Sequence, residues 1–311
     1  MRLTADFLFV SDDHYVKNLG IAAYSVLHNM CPSADRVRIF VMDCGITEEH
    51  KAQLWQQAER FDNAEMYFHN IERQLDEVVP KVENHWHKAI YGRLFFPELL
   101  GQYDGIDRLI YLDCDVLMDD QVTELFELDM QGKCVAGVAD GYDHARKQAL
   151  GIDMDCTYIN SGVLVIDTAR WTALNASERI VAYINSFPDE LIYPDQDAIN
   201  YVLAHDILVL LPIYNMLWML LDKDVPKMLR SLPHFRYTEE ELMEALYHGK
   251  IYHYAGHDMW CIDGITPVHT KVFVKYRALS DWRGCKRHYG SFQKMVIWWL
   301  VRMKRALIGE R

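Results

Sequence analysis

The chain lacks any run of about 18 apolar residues, so no segment of it reads as a membrane-spanning helix. Its seven cysteines (31, 44, 114, 134, 156, 261 and 285) include no Cys-x-x-Cys pair. The odd count, set mostly in apolar stretches, excludes a zinc ribbon or a disulfide framework and reads as reduced, buried thiols of a cytosolic protein. Proline and glycine are scarce, 9 and 16 of 311 residues. No Gly/Ser/Pro-rich linker divides residues 1–270, and there is no internal repeat or low-complexity tract, which excludes collagen-like, disordered and repeat-array chains. Basic residues are outnumbered, 32 Lys and Arg against 45 Asp and Glu, for a net charge of −13. That balance argues against general nucleic-acid binding, which needs a broad basic surface. The N-terminal apolar run in MRLTADFLFVSDDHY is broken by acid too soon to read as a secretion signal.

What is present is a core. Half the residues are apolar and a quarter charged, as in ordinary globular proteins. Strand-like runs at 6–10, 36–43, 64–68, 108–113, 134–140, 158–167 and 207–211 alternate with helical patterns at 14–30, 47–60, 88–100, 170–185 and 195–204. The alternation predicts an α/β fold with a mostly parallel central sheet. In such sheets ligands sit beyond the carboxyl ends of the strands. Two strands end in acid there: FLFV-Ser11-Asp12-Asp13 and LIYL-Asp113-Cys114-Asp115. Asp-x-Asp also occurs at 153/155, 195/197 and 222/224, but only 113/115 follows a strand-forming run. Two converging carboxylates repel unless a cation lies between them, and hard oxygen ligands suit Mg²⁺ or Mn²⁺. The alternative is a solvated turn of acids. A second cluster, Tyr193-Pro194-Asp195-Gln196-Asp197, reads as a helix start. Capping explains Asp195 alone, whereas Gln196 has no capping need and is free to face a ligand. The third, Ile251-Tyr252-His253-Tyr254-Ala255-Gly256-His257, offers either a satisfied core histidine or an imidazole ligand that would favour Mn²⁺ over Mg²⁺.

The segments FLFVSDDHY, AIYGRLFFPELL, RLIYLDCDVLMDD, YINSGVLVID, YPDQDAIN and IYHYAGHDMW, in this order over roughly residues 4–265, resemble the retaining glycosyltransferases of family 8. That family contains glycogenin and the bacterial lipopolysaccharide galactosyl- and glucosyltransferases, and the likeness is to the bacterial members. The resemblance implies a GT-A nucleotide-sugar-binding fold over 1–270. It implies Mn²⁺, with Mg²⁺ as the alternative, held by Asp113, Asp115 and His253 against a donor diphosphate, with Cys114 and Gly256 in the same nucleotide-binding segments. Val10, Asp12, His14 and Tyr15 match the segment that grips uracil and ribose, although the family usually has Asn at His14. Arg93 matches the arginine that bonds the donor sugar and phosphates, Asn160 and Gly162 the Asn-x-Gly beside the sugar, and Asp195 and Gln196 the pair below the anomeric carbon. Catalytic roles therefore fall to Gln196, Asp195 and Arg93, and acceptor contacts to His85 and Asp140. The implied partners are UDP-galactose or UDP-glucose and a lipid-linked or lipopolysaccharide-type saccharide acceptor. The family's His-x-x-Gly-x-x-Lys-Pro-Trp is shortened by one residue at 253–260 and lacks the Lys and Pro, so His257 or a tail cation would have to supply that charge.

Residues 283–311 hold eight Lys and Arg against one Glu, a net +7 that leaves −20 for the rest of the chain. In FQKMVIWWLVRMKRALI (292–308) the helical period sets Phe292, Met295, Val296, Trp299, Leu300, Met303 and Leu307 on one face and Lys294, Arg302, Lys304 and Arg305 opposite. Such a helix lies in an anionic membrane surface. We therefore expect 271–311 to be a basic, aromatic, membrane-associating tail and the protein to be cytoplasmic, peripheral to the inner face of the cell membrane. Packing of that helix on the domain is the plainer alternative. Two rival functions remain. The 113–117 segment also resembles the nucleophile motif of haloacid-dehalogenase-type phosphatases, although that family carries it on the first strand. A UDP-sugar-binding protein without turnover is the other.

Overall fold

The strand Thr4–Ser11 (β1) buries both faces, with Phe7 and Phe9 in one apolar cluster and Leu8 in another. Strands apolar on both sides belong inside a sheet that helices cover on each face. The structure is a computed structural model, and it describes residues 3–78, 88–188, 190–217, 225–231, 235–256, 258–261 and 267–288. The strands that follow are Arg36–Asp43 (β2), Ala64–Asn70 (β3), Arg108–Leu112 (β4), Val116–Met118 (β5), Val135–Gly137 (β6), Val163–Asp167 (β7), Ile207–Val209 (β8), Met216–Leu217 (β9) and Ile251–His253 (β10).

Seven strands make one sheet in the order β3-β2-β1-β4-β7-β6-β8, and β5-β10-β9 make a second. Within the large sheet only the β4–β7 and β6–β7 pairs are antiparallel. The mostly parallel α/β architecture expected from the alternation is what forms. From β1 the chain winds outward through β2 to β3, and β4 then returns to the other side of β1. The carboxyl ends of β1 and β4 thus flank a topological switch point, the place where open α/β sheets bind ligands. One core cluster lies under the helices Val16–Met30 and Pro267–Leu279. The other lies under Ala176–Ser186 and Pro194–Val202.

Several boundaries depart from expectation. Residues 88–100 are not one α-helix but a 3-10 helix, Lys88–Phe95, followed by a short helix that restarts at Pro97. Proline has no N–H to continue a ladder and is suited to a helix's first position. The expected helix 170–185 breaks after Ala173, because Asn175 takes a left-handed φ of 47°. The expected strand 158–167 starts only at Val163, since residues 160–162 turn into the site. Helix Pro267–Leu279 straddles the expected boundary at 270. Its Val272, Phe273 and Tyr276, and Trp282 beyond it, are buried in the first cluster, so the globular core extends past 271. The amphipathic segment 292–308 lies outside the described residues. None of the seven cysteines is in a disulfide, and burial pushes the Cys31, Cys44 and Cys134 thiols up to about 12.

Candidate active site

Beyond Leu112 the chain passes from the large sheet to the small one, and Asp113, Cys114 and Asp115 occupy the crossover before β5. Two pairings bring distant residues to it. β7 runs antiparallel to β4, so its first residues meet the end of β4, and the Asp113 N–H donates to the Gly162 carbonyl at 2.9 Å. β10 pairs with β5 so that His253 lies opposite Val116. Sheet register thus delivers His253 to the acids.

One ligand atom from each of Asp113, Asp115 and His253 lies within 4.8 Å of the others. His253 Nε2 is 3.3 Å from Asp115 Oδ1 and 3.9 Å from Asp113 Oδ2. His253 is 3% exposed. Burial alone would lower its pKa, but the facing Asp115 and Asp113 charges outweigh burial and raise it. The donor set, two carboxylates and an imidazole, suits a divalent ion such as Mn²⁺. Gly162 leaves the room: a Cβ there would fall 2.2 Å from His253 Cε1 and 2.8 Å from Asp113 Oδ2.

Arg93 comes from the 3-10 helix and is buried beneath the cluster. Its guanidinium donates to Asp113 Oδ1 at 2.9 Å and to the Ser161 carbonyl at 2.7 Å, and stands 3.1 Å from Asp195 Oδ2. It also lies 4.1 Å over the Tyr111 ring, whose hydroxyl donates to Asp113. Burial opposes its charge, yet Asp195, Tyr111 and Asp113 hold it protonated. Asp195 is pushed up by burial against the pull of Arg93.

Next to the cluster the Asn160–Gly162 turn faces the first turn of helix Pro194–Val202. The Ser161 N–H donates to Gln196 Oε1 at 2.9 Å. Asn160 Nδ2 donates to Asp140 Oδ2 and to Gln196 Oε1, each at 3.2 Å. Gln196 Nε2 donates to Asp140 Oδ2 at 3.3 Å and to the Tyr158 hydroxyl at 3.0 Å. Tyr158 in turn donates to Asp197, which is fully buried and paired with Arg146.

On the β1 side, Asp12 accepts the Tyr15 N–H at 3.0 Å and borders an open cleft of about 380 Å³ that Cys44, Glu72, Asp76 and Lys88 also line. Val10 is half-buried, and His14 and Tyr15 are exposed. Asp13 turns away to Thr47 and His50. Cys114 turns its buried thiol inward, 3.1 Å from the Val10 carbonyl. Gly256 holds a φ of +74° in the turn after β10. His85 and His257 lie outside the described residues, as do 222/224, while Asp153 and Asp155 are exposed at a turn.

The structure therefore brings Arg93, Asp113, Asp115, Asp140, Asn160, Gly162, Asp195, Gln196 and His253 to one place. Sequence reasoning passed over Tyr111, Tyr158, Asn215 and the Arg146–Asp197 pair. The Asp-x-Asp spacing at 195/197 and the 193–197 cluster were the signals for Asp197, and nothing in the sequence marked Asn215.

The sequence model described as "Glycosyl transferase family 8" matches residues 7–258. General stress protein A of Bacillus subtilis is 31% identical over 241 residues, 74% of this chain and 80% of that protein. A lipopolysaccharide 1,2-glucosyltransferase of Escherichia coli is 33% identical over 137 residues, 43% of this chain and 40% of that protein. Among solved structures, an active-site mutant of LgtC superposes with a TM-score of 0.73 at 23% identity, over 90% of this chain and 99% of that one. The galactosyltransferase LgtC with donor and acceptor sugar analogues gives 0.71 at 23% identity with the same coverage. Those likenesses establish the GT-A fold.

Proposed function

This chain belongs to glycosyl transferase family 8, and from that premise we propose that it is a retaining hexosyltransferase. It moves galactose or glucose from UDP-galactose or UDP-glucose to a hydroxyl of a saccharide acceptor, of the lipid-linked or lipopolysaccharide type. The observation that carries this is the Asp113–Asp115–His253 triangle at the switch point, sharing the Asn160–Gly162 turn with Asp195 and Gln196. Asp113, Asp115 and His253 would hold Mn²⁺, with Mg²⁺ as the alternative. When bound, the ion supplies Lewis-acid neutralisation of the departing diphosphate.

The protein's own groups divide the remaining work. Val10, Asp12, His14 and Tyr15 bind the uridine beside the open cleft, and Cys114 and Gly256 contribute backbone to the diphosphate channel. Arg93 adds charge-assisted hydrogen bonds to phosphate and sugar oxygens. Asn160, Gly162, Asp195 and Gln196 orient the hexose, and the acceptor contacts fall to Asp140 and His85. Asp195 sets negative charge below a ring that becomes oxocarbenium-like. Gln196 Oε1 already accepts from the Ser161 N–H and from Asn160 Nδ2. An amide oxygen so engaged is a poor nucleophile, which supports attack by the acceptor hydroxyl from the leaving-group face. Its C–O bond forms as the anomeric carbon–phosphate oxygen bond breaks, and its proton passes to the departing diphosphate.

The Asp113-Cys114-Asp115 segment follows the fourth strand and not the first, and the family match covers residues 7–258, both of which weigh against an aspartyl phosphatase. The basic segment 283–311 would hold the protein on an anionic membrane surface, next to a lipid-linked acceptor and on the cytoplasmic side. Among the described residues no helix is long and apolar enough to cross a membrane. The test is a panel of UDP-sugars with Mn²⁺, reading released UDP. Release from one hexose donor supports the transferase; no release from any, with donor bound, leaves a binding protein. Co-sedimentation with anionic liposomes should be lost on removal of the residues from about 283 on, and persistence would refute the tail's role.

A further inference from the structure

The buried hydrogen bonds around the cluster run in one direction, and two backbone groups set it. A backbone N–H only donates, so its partner atom must be an oxygen. The Gly162 N–H meets Asn160 at 3.0 Å and the Ser161 N–H meets Gln196 at 2.9 Å. Those contacts fix which end of each amide is oxygen, a choice that side-chain shape alone leaves open. Asn160 Oδ1 has a second lone pair, and the fully buried Asn215 side chain lies 2.9 Å from it. A lone pair needs a donor, so Asn215 presents Nδ2 there and Oδ1 on its other side. Asn215 Oδ1 is 3.0 Å from His253 Nδ1. An amide oxygen only accepts, so Nδ1 carries a proton, and in the neutral imidazole Nε2 then holds the lone pair. Nε2 is the atom that faces Asp115 and Asp113.

We propose that Asn215 is a positioning residue that transmits the polarity set by the Gly162 N–H, through Asn160, to the His253 ring. It holds the imidazole in the Nδ1–H tautomer with Nε2 turned to the two carboxylates. Asn215 stands between the 3-10 helix Pro212–Tyr214 and β9, 38 residues from His253 and 55 from Asn160 in the chain. It bonds a metal-side residue with its oxygen and a sugar-side residue with its nitrogen, so one side chain registers the two halves of the site. The inference rests on the metal-dependent transferase reading. Partners that orient a ligating histidine typically cost 10–100-fold in metal affinity when removed.

Two variants separate the two bonds. Asn215→Leu removes both, and Mn²⁺ binding to the donor-free protein, read by electron paramagnetic resonance, should weaken about 10–100-fold. Asn215→Asp keeps an acceptor for His253 Nδ1–H but loses the donor to Asn160. Its Mn²⁺ affinity should stay close to wild type while the KM for the UDP-sugar rises. Independently of any metal, ¹⁵N spectra of the wild-type protein in alkaline solution should show His253 protonated at Nδ1. If Asn215→Leu does not fold, Asn215→Asp and the tautomer decide. Wild-type Mn²⁺ affinity in Asn215→Leu, equal weakening in both variants, or an Nε2–H tautomer each overturns the proposal while leaving the transferase reading intact. A wild-type protein that binds no Mn²⁺ overturns the metal reading itself and this proposal with it.

Discussion

Gly162→Ala should disable the metal site without altering a ligand. The added Cβ would sit 2.2 Å from His253 Cε1, 2.8 Å from His253 Nδ1 and 2.8 Å from Asp113 Oδ2. Carbon contacts are comfortable at about 3.5–4.0 Å, so the ring or the turn has to retreat by more than about 1 Å. His253 is buried and its ring tied through Nδ1 to Asn215, and the turn is tied to Asp113 through its carbonyl. Neither retreats without changing the spacing of the three ligand atoms. Overpacking of this kind costs about 1–3 kcal/mol. A displaced ligating histidine costs about 10–100-fold in metal affinity, or roughly 1.4–2.7 kcal/mol. Mn²⁺ titration of the donor-free protein and a urea melt measure the two quantities separately. Gly101→Ala, where a Cβ would meet nothing within 4 Å, is the control and should leave both unchanged. Wild-type Mn²⁺ affinity in Gly162→Ala would refute the claim that the 160–162 turn sets the geometry of the cluster.

Asp113→Ala or Asp115→Ala should abolish Mn²⁺-dependent transfer, whereas Gln196→Ala should leave measurable turnover; complete loss in Gln196→Ala with donor still bound would favour a covalent intermediate. Trp282→Ala should cost about 3–5 kcal/mol in urea melts, because the indole is buried in the main core against Gly20; a domain that ended at 270 would not respond. Burial raises the Glu124 carboxyl, but its bonds to Lys250 and Tyr214 outweigh that and hold it below its ordinary 4.5. A depressed carboxylate stabilises the fold above the unfolded pKa, and that stability is lost as pH falls through the folded value. Lys250→Met should therefore flatten the acid limb of a stability–pH curve below about 4.5; an unchanged limb would discount the pair.

The parts of this fold that the sequence discloses are those with a strong one-dimensional period. β1 and β2 alternate apolar residues into two clusters, and the helix Val16–Met30 keeps one apolar face over four turns. What escapes is set by partners far along the chain. β5, β9 and β10 have two or three residues each and acquire strand character only from one another. The 158–162 segment has strand composition, yet its backbone is claimed by the site: the Ile159 N–H by Asn200, the Ser161 N–H by Gln196 and the Gly162 N–H by Asn160. Local propensity yields when side chains offer a buried backbone group a better partner.

The site was legible for a different reason. Acid at the end of a strand is costly to bury without a cation, so Asp113 and Asp115 announced a charge balance, and Gln196 lacked a capping role. Asn215 announced nothing, because a neutral amide in a loop is compatible with a turn, a cap or a surface. Its significance appears only when its two neighbours are known to be an acceptor and a donor. The same holds for Tyr158 and the Arg146–Asp197 pair, which surround Gln196 with partners already satisfied. Polar groups that are satisfied and oriented before substrate arrives need no rearrangement when charge develops, and fixed dipoles of that kind stabilise a transition state more than mobile ones. The residues most easily read from the sequence therefore specify the chemistry, while those hardest to read fix its geometry, which makes Asn215 and Tyr158 the positions where substitution should separate binding from turnover.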